Sequence, residues 1–479
     1  MPEERPAPAV IQGGMGIGVS GWRLAAAVAR TGQLGVVSGV ALDTTLARRL
    51  QRGDPGGDLR RALAHFPYPE VAERILRRYF VSGGIAPGRP FRPVPRLGLR
   101  PHRARDELTV AGNFTEVWLA REGHDGPVGI NYLEKVQLAT PAAAYGAMLA
   151  GVDYVLMGAG IPSEIPALLD ALARHAPAEL SVTVSGSEER HILTFDPVDR
   201  IGTPAGTRPG ALPEPLRRPR MLAIVSSTVL ATYLCRSPAT RPDGFVLETP
   251  SAGGHSAPPR GRMRLSGTGE PVYGPRDALD LAGVARLGLP FWLAGGYGTP
   301  EGLAEARAAG ATGIQAGTVF ALCRESGLDP ALRRQVRDRA ALGTLTVLNA
   351  PDTSPAGFPF KVAGLPETLS EPDTYQERPR LCDLGYLRTP YLSPAGSVGY
   401  RCAAEPVDAY VRKGGAEQDT AGRRCLCNAL TADIGLGQHR SDGYAEPALV
   451  TLGQDLSCLE GLPSDDCSAA DVVAHLLGG

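Results

Sequence analysis

The apolar residues of this chain fall into short runs that alternate between two patterns. Runs that are apolar on both faces, such as VGINYL at residues 128–133, predict buried β-strands. Longer runs with apolar positions at helical spacing, such as PEGLAEARAAG at residues 300–310, predict helices between them. Eight such strands lie between Pro8 and Thr318. Eight strands alternating with helices predict a parallel sheet closed into a (β/α)8 TIM barrel.

Two stretches interrupt this alternation. Residues 51–127 contain a proline-rich segment with several arginines, and residues 179–220 begin with a β-hairpin pattern followed by a Pro/Gly-rich loop. Each is a decoration or oligomer contact, or else a lid over an active site. From about Ala350 the alternation ends. We therefore predict a barrel domain over residues 1–350 with two insertions, and a C-terminal extension over residues 351–479.

Composition and charge narrow the class of protein. The chain has 479 residues, 43% of them hydrophobic and 21% charged, as is typical of a globular protein with a substantial core. Its formal net charge of -1 gives no basic field for nucleic acid or an anionic membrane. The N-terminus lacks the apolar segment of a signal peptide, and no apolar run is long enough to span a bilayer. We expect a cytoplasmic protein that forms a homo-oligomer, acts on a small molecule, and keeps its eight cysteines as thiols or metal ligands.

A glycine pattern follows the first predicted strand. Gly16, Gly18 and Gly21 form GxGxxG, the pattern of dinucleotide-binding folds. That fold also requires an acidic residue about twenty positions later, at the end of the second strand. The second predicted strand here, LGVVSGV, has no acid, and Asp43 lies beyond it. We therefore reject a dinucleotide-binding fold.

Glycines also end the last two predicted strands of the barrel, LAGGYG at residues 293–298 and GIQAGT at residues 313–318. In TIM barrels the loops after strands seven and eight often bind phosphate through backbone N–H groups. Glycine lets the backbone approach the phosphate closely, and Thr318 adds a hydroxyl donor. The glycines of IQGGMG, residues 11–16, end the neighbouring first strand. Together these strand ends predict a site for a phosphorylated, flat cofactor such as a flavin.

Five motifs occur in the order IQGGMG, VGINYL, SAGGHSAPPRG, LAGGYG and GIQAGT, over about residues 8–365. With them the chain resembles the nitronate monooxygenases, the 2-nitropropane dioxygenase-like family of FMN-dependent (β/α)8 barrels. The resemblance implies that FMN is the cofactor. Glu248 stands where the family often has glutamine. The implied FMN contacts are Gly14, Met15, Asn131, Glu248, Gly253, Gly296, Gln315, Ala316, Gly317 and Thr318.

His255, which follows two glycines at the end of a predicted strand, is the candidate catalytic residue. In the family this histidine lies over the flavin as the base. An imidazole titrates near neutral pH, so it is suited to removing a proton from a nitroalkane or to orienting a bound nitronate. The resemblance thus implies an oxidoreductase that oxidises alkyl nitronates with O2. The APPRG sequence after the histidine replaces a commoner arginine-bearing version, so we expect a different substrate pocket.

Two alternatives remain open. INYLEK and SPAGFPFKV are similar to the FMN-dependent enoyl reductases of the same barrel superfamily, which pass a hydride from NAD(P)H to the enoyl thioesters of fatty acid or polyketide synthesis. Lys135 would then be a charge near the flavin or the acyl carrier, unless it is only a solvated loop lysine. The second alternative is a flavin-binding module without turnover, because a fold does not guarantee activity.

Four of the eight cysteines, Cys382, Cys402, Cys425 and Cys427, lie within 46 residues of the extension. Four thiolates suit a tetrahedral zinc ion or an iron–sulfur cluster, and a C-x-C pair supplies two neighbouring ligands. The spacing lacks the usual C-x2-C pair. The sequence therefore predicts either a metal site or buried free cysteines in a small core.

Overall fold

Fourteen strands occur in the part of the chain that the computed structural model describes, residues 6–208, 213–460 and 466–478. Eight of them pair in parallel and close into a barrel with the order β1-β10-β9-β8-β7-β4-β3-β2. The (β/α)8 barrel predicted from the sequence is confirmed, and the dinucleotide-binding fold stays excluded. In chain order the strands are β1 (Val10–Gln12), β2 (Leu34–Ser38), β3 (Val128–Leu133), β4 (Tyr154–Gly158), β5 (Ala178–Val182), β6 (His191–Phe195), β7 (Arg220–Val225), β8 (Gly244–Glu248), β9 (Phe291–Ala294), β10 (Gly313–Ala316), β11 (Val347–Ala350), β12 (Phe360–Ala363), β13 (Thr389–Leu392) and β14 (Val398–Arg401).

Helices follow most of the barrel strands, and none of those described is long and apolar enough to cross a membrane. The longest of them, α5, has 19 residues. The α-helices are α1 (Trp22–Ala29), α2 (Leu42–Gln51), α3 (Asp58–Ala64), α4 (Pro69–Tyr79), α5 (Arg103–Arg121), α6 (Thr140–Leu149), α7 (Ile165–Ala173), α8 (Pro197–Arg200), α9 (Thr228–Leu234), α10 (Leu281–Ala285), α11 (Pro300–Ala308), α12 (Thr318–Ala321), α13 (Pro330–Ala341), α14 (Pro372–Glu377), α15 (Val407–Arg412), α16 (Leu426–Ala432) and α17 (Ala469–Leu476). The 3₁₀ helices are Glu134–Ala139, Pro275–Asp277, Glu417–Thr420 and Ser457–Leu459.

The barrel strands are apolar on both faces because each face is buried. Alternate residues such as Leu222 and Ile224 of β7 point into the barrel, where they pack with Val246 and Trp292. The intervening residues, such as Ala223, pack outward against the helices. Because neither face meets water, the period-2 alternation of a half-exposed strand is missing, and the sequence shows continuous apolar runs.

The two stretches that interrupt the alternation differ in structure. Residues 51–127 form helices α3 to α5, which pack against the core of the barrel. Helix α4 begins with a proline at its first turn and buries Val71, Ile75 and Tyr79 on one face. Strands β5 and β6 form the antiparallel hairpin predicted within residues 179–220.

The chain after β10 covers the carboxyl ends of the barrel strands. Strands β11 and β12 form an antiparallel hairpin, and Phe360 of β12 forms an antiparallel bridge with His255 in the loop after β8. At the opposite end of the barrel, the Nε1 of Trp292 on β9 donates to the Pro8 carbonyl at 2.7 Å, which links the N-terminal segment to β9. The division of the chain into domains at residues 350 and 351 stays a prediction, since the later segments pack directly on the barrel rim.

Candidate active site

Two adjoining cavities lie at the carboxyl ends of the barrel strands. The first, here called the glycine cavity, has a volume of about 160 Å³ and is lined by the ends of β1, β9 and β10 and the loop after β8. The second, here called the histidine cavity, has a volume of about 150 Å³ and extends toward β2, β3 and β4. Residues from β1, β8 and β10 line both, so the two form one connected site. The shared residues are Gly14, Gly16, Glu248, Gly253, Gly254, Gln315 and Thr451.

Every site residue proposed from the barrel motifs lines one of these cavities. The reason is topological, because the carboxyl ends of parallel barrel strands all meet at one rim. Met15, Gly296, Ala316, Gly317 and Thr318 line the glycine cavity, Asn131 and His255 line the histidine cavity, and Gly14, Glu248, Gly253 and Gln315 line both. Their separate roles stay proposals.

The walls of the glycine cavity require residues without side chains. A Cβ on Gly14 would lie 2.5 Å from the Cβ of Asn131, and a Cβ on Gly253 would lie 3.0 Å from the backbone carbon of Leu452. Gly296 has a φ of +85°, a conformation that favours glycine. Bare backbone therefore lines this cavity on several sides, as close approach of a flat cofactor requires.

The polar groups of the glycine cavity also fit a flavin. The Oε1 of Gln315 is buried and has no hydrogen-bond partner in the described part of the chain, which is costly unless a ligand supplies a donor. No Lys or Arg is among the described residues that line the cavity, so a phosphate there would rely on backbone N–H groups and hydroxyls. The Asp455 carboxylate also lines it, close to Gly296. A phosphate would therefore be favoured on the side of Gly317 and Thr318.

His255 is held tightly beside the histidine cavity. Its Nε2 lies 2.7 Å from the Oγ of Ser354, and its ring meets the Phe360 ring edge-on, with centroids 4.9 Å apart. Burial lowers the pKa of His255 to about 3, and the nearby Lys135 acts in the same direction. The imidazole is therefore neutral at neutral pH, which differs from the near-neutral titration expected from the sequence.

The buried Lys361 and the half-buried Glu248 and Lys135 lie next to this histidine. Burial raises the pKa of Glu248 to about 7, and the positive charges of Lys361 and Lys135 act against that rise. Burial lowers the pKa of Lys135 and of Lys361 to about 8 each, and Glu248 counteracts both shifts. The Nζ of Lys135 donates to the Ala159 carbonyl at 3.1 Å and lies 3.6 Å from the centroid of the Phe358 ring. Lys135 is thus part of the site's surroundings rather than a solvated loop lysine.

The C-terminal segments supply a wall that sequence reasoning missed. Thr451, Leu452 and Gly453 line the glycine cavity, and the Gly453 N–H donates to the Thr318 hydroxyl at 2.8 Å. The histidine cavity is closed by further side chains of the same segments, Phe360, Tyr386, Leu387, Leu426, Cys427 and Leu430. Nothing in the sequence pattern marks these residues, because ordinary apolar side chains carry no sign of which cavity they close.

Tyr386 connects this wall to the barrel. Its hydroxyl donates to the Oδ1 of Asp43 at 2.5 Å and lies 2.6 Å from the Thr44 hydroxyl, both on helix α2. Burial raises the pKa of Asp43, while the hydrogen bond from Tyr386 acts in the opposite direction. A buried hydrogen-bond network thus joins the wall of the histidine cavity to α2.

The structure of the cysteine-bearing extension does not support a zinc ion or an iron–sulfur cluster at its four cysteines. Cys402, Cys425 and Cys427 are buried in one apolar cluster, and Cys382 packs against it, so the fold does bring the four together. The hydrogen bond between Cys382 and Cys402 lowers the pKa of the Cys382 thiol to about 7 and raises that of Cys402. Burial raises the pKa of the Cys425 and Cys427 thiols, so three of the four disfavour the thiolate that a metal needs. Among the described residues no group of three or more His, Cys, Asp or Glu is arranged to hold a metal ion. The alternative of buried free cysteines describes them better.

One part of the barrel matches a known protein family. Residues 217–350, which carry β7 to β10 and His255, match the family model for nitronate monooxygenase. A search of curated proteins gave no match.

Several solved structures resemble all or three quarters of the chain at low sequence identity. FabK from Thermotoga maritima is 16% identical with a TM-score of 0.47, over 99% of this chain and 92% of that one. Nitroalkane oxidase from Streptomyces ansochromogenes is 15% identical with a TM-score of 0.46, over 99% and 96%. The enoyl reductase domain of MlnA, from the macrolactin biosynthesis cluster of Bacillus amyloliquefaciens, is 13% identical with a TM-score of 0.38, over 75% and 64%. The assignment of the barrel fold depends on the pairing of this chain's own strands and not on these similarities. Over residues 217–350 the chain is similar to the nitronate monooxygenase family, as its motifs predicted.

Proposed function

We propose that the chain is an FMN-dependent nitronate monooxygenase, which oxidises alkyl nitronates with O2. The observation that carries this proposal is the pair of connected cavities, one lined by bare backbone and the other by His255. The family match of residues 217–350 supports the same reaction class.

FMN is proposed to occupy the glycine cavity and to extend to the boundary of the histidine cavity. Gln315 would then find a hydrogen-bond donor for its unpartnered Oε1, and Gly317 and Thr318 would hold the phosphate. Gly14, Met15 and Gly253 would lie along the ring, with Asn131, Glu248, Gly296 and Ala316 completing the contacts. When bound, FMN supplies the redox chemistry, accepting electrons from the substrate and passing them to O2.

His255 is proposed to orient the substrate as a neutral imidazole. The Ala356 N–H donates to the Ser354 Oγ at 3.2 Å, so the Ser354 hydroxyl proton is available to point at the His255 Nε2. The Nδ1 then carries the ring proton and can donate it to an oxygen of a nitronate. Because burial lowers the pKa of His255 to about 3, the ring is a weak base toward a carbon-bound proton. A nitronate has already lost that proton and therefore suits this site better than a neutral nitroalkane.

Lys135 and Lys361 lie beside the histidine cavity, where Glu248 acts on both, Glu134 also acts on Lys135 and Glu270 also acts on Lys361. The lysine charges are thus matched by carboxyl groups, and the preference for a nitronate rests on the hydrogen bond from His255.

A second candidate is the enoyl reductase, and the apolar wall of the histidine cavity favours it. Six apolar side chains line this cavity, which suits the hydrocarbon part of an enoyl thioester: Leu133, Val136, Ile224, Leu387, Leu426 and Leu430. That reaction also needs NAD(P)H as the electron donor.

The test compares wild type, His255→Asn and a control, His65→Asn, whose exposed ring stacks on Trp118 far from the site. O2 uptake is measured with a nitronate and with its nitroalkane, and NAD(P)H oxidation with an enoyl thioester. We expect nitronate-dependent O2 uptake in wild type and in His65→Asn, weaker uptake with the nitroalkane, and a loss of about tenfold or more in His255→Asn.

Other outcomes assign other functions. NAD(P)H oxidation with the enoyl thioester, and no uptake with nitronate, would make the chain a reductase. Flavin binding without either reaction would leave a non-catalytic flavin module. The homo-oligomer and the cytoplasmic location remain predictions.

A further inference from the structure

Lysine is rare in this chain, and its positions are informative. Of 49 basic residues only three, Lys135, Lys361 and Lys413, are lysines, and all others are arginines. Lys135 and Lys361 both lie beside the histidine cavity and act on the same acid, Glu248. The third, Lys413, pairs with Glu405 at 2.7 Å on the extension.

Lys361 is the more deeply buried of the two lysines at the site. Its side chain has 0% exposure, although it lies on strand β12 in a loop-rich part of the molecule. A buried ammonium is costly unless hydrogen bonds and an opposite charge compensate it. The contacts of its Nζ therefore indicate what the residue is placed to hold.

Those contacts all lead to the loop that carries His255. The Nζ of Lys361 donates to the Pro250 carbonyl at 2.7 Å and to the Ser256 hydroxyl. The Lys361 N–H donates to the Gly254 carbonyl at 2.9 Å, and the Ser256 N–H donates to the Pro359 carbonyl at 2.9 Å. One lysine thus joins the beginning and the end of the loop, with the histidine between them.

The type of side chain matters as well. A compact ammonium has three donors that can point in different directions, whereas the planar fork of arginine needs more room. Lys361 and Glu248 act on each other through charge. Glu270 is the other acid that acts on Lys361.

We propose that Lys361 is a positioning residue of the site. It fixes the loop over residues 250–256 so that His255 faces the histidine cavity, and its positive charge favours the ionised form of Glu248. What His255 acts on rests on the proposed function, whereas the placement of the loop and the charge of Glu248 do not.

The first test measures the loop. Amide hydrogen exchange is compared in wild type, Lys361→Met and Lys413→Met, the last being the control lysine outside the site. We expect the protection of the Ser256 and residue-361 amides to fall at least tenfold in Lys361→Met, while Val246 of β8 keeps its protection. Lys413→Met should match wild type at all of these amides.

The second test measures the charge of Glu248, which a purely structural lysine would not alter. The carboxyl band that disappears in Glu248→Gln is followed by infrared spectroscopy against pH. The charged groups facing Glu248 are Lys135 and Lys361, and the neutral His255 lies beside them. We expect the midpoint of the Glu248 titration to rise by about one pH unit or more in Lys361→Met, since a neighbouring positive charge is lost.

Unchanged loop protection together with an unchanged Glu248 midpoint in Lys361→Met would overturn the proposal. Should that variant fail to fold, Lys361→Arg keeps the charge but not the shape. It should then retain the Glu248 midpoint while losing loop protection, and full loop protection in Lys361→Arg would likewise overturn the proposal. Protein that binds no flavin would refute the proposed function, yet both measurements would still decide the role of Lys361.

Discussion

Replacing Glu248 by glutamine removes an ionisable carboxyl group from the cavity wall with little change of shape. Glu248 lines both cavities, and burial raises its pKa from 4.5 to about 7 in the folded protein. In the unfolded chain the carboxyl titrates at its ordinary value. The folded state therefore binds this proton more tightly than the unfolded state does.

The direction and size of the change in unfolding free energy follow from the difference in the Glu248 pKa between the folded and unfolded states. Below pH 4.5 the carboxyl is neutral in both states, and its contribution to stability is fully present. As pH rises from 4.5 to about 7, the unfolded chain ionises first, so wild type loses stability relative to Glu248→Gln. At about 1.4 kcal/mol per pKa unit the full shift amounts to roughly 3 kcal/mol, and solvent in the open cavities reduces this to roughly 1–3 kcal/mol.

The assay is urea unfolding of flavin-free wild type and Glu248→Gln from pH 4 to pH 8. The difference in unfolding free energy is plotted against pH, so that groups common to both proteins cancel. Glu305→Gln, an exposed change on helix α11, serves as the matched control for removing a carboxylate elsewhere. We expect the difference to change within the window from 4.5 to about 7 and to level off above it.

The reasoning would be refuted by a difference that stays constant across that window. It would also be refuted if wild type gained stability over Glu248→Gln as the pH rose. Either result would mean that water or the two lysines already compensate the carboxylate, so that its pKa is not raised.

Three further predictions concern the walls of the cavities. Gly317→Ala should weaken FMN binding about tenfold or more at nearly unchanged stability, because only Met15 lies within 4 Å of the new methyl group and φ is -118°. Gly296→Ala should weaken FMN binding too, and it should in addition cost about 1–2 kcal/mol of stability, since the φ of Gly296 is +85°. FMN titration and urea unfolding test both variants. Full FMN affinity in Gly317→Ala would mean that the phosphate site is misplaced. Tyr386→Phe should destabilise the protein by about 1–3 kcal/mol in urea unfolding, because the buried Asp43 loses a hydrogen bond; no measurable loss would show that water replaces the hydroxyl.

The sequence by itself determined the barrel. Eight strands that are apolar on both faces require burial on both faces, and the helices between the strands in the sequence cover the outer face. Once the barrel closes, the carboxyl ends of its strands must meet at one rim. For this reason motifs as distant as Gly14, Asn131, His255 and Gln315 could be placed together from the sequence, and the structure brings them around two connected cavities.

Only the tertiary structure decided the environment of those residues. The near-neutral titration expected for His255 is replaced by a neutral, buried ring, because Phe360 and Ser354 from a later segment cover it. The grouped cysteines of the extension form part of an apolar cluster instead of a metal site. A pKa depends on which atoms surround the group, and spacing along the chain carries no record of them.

The same reason explains the residues that sequence reasoning left without a role. Lys361 and Tyr386 lie more than a hundred positions from the loop and the helix that they contact. Local pattern fixes which face of a strand or helix is apolar, since that depends on near neighbours. Which distant segment closes the site, and which buried lysine holds its histidine loop, depends on contacts that exist only once the chain has folded.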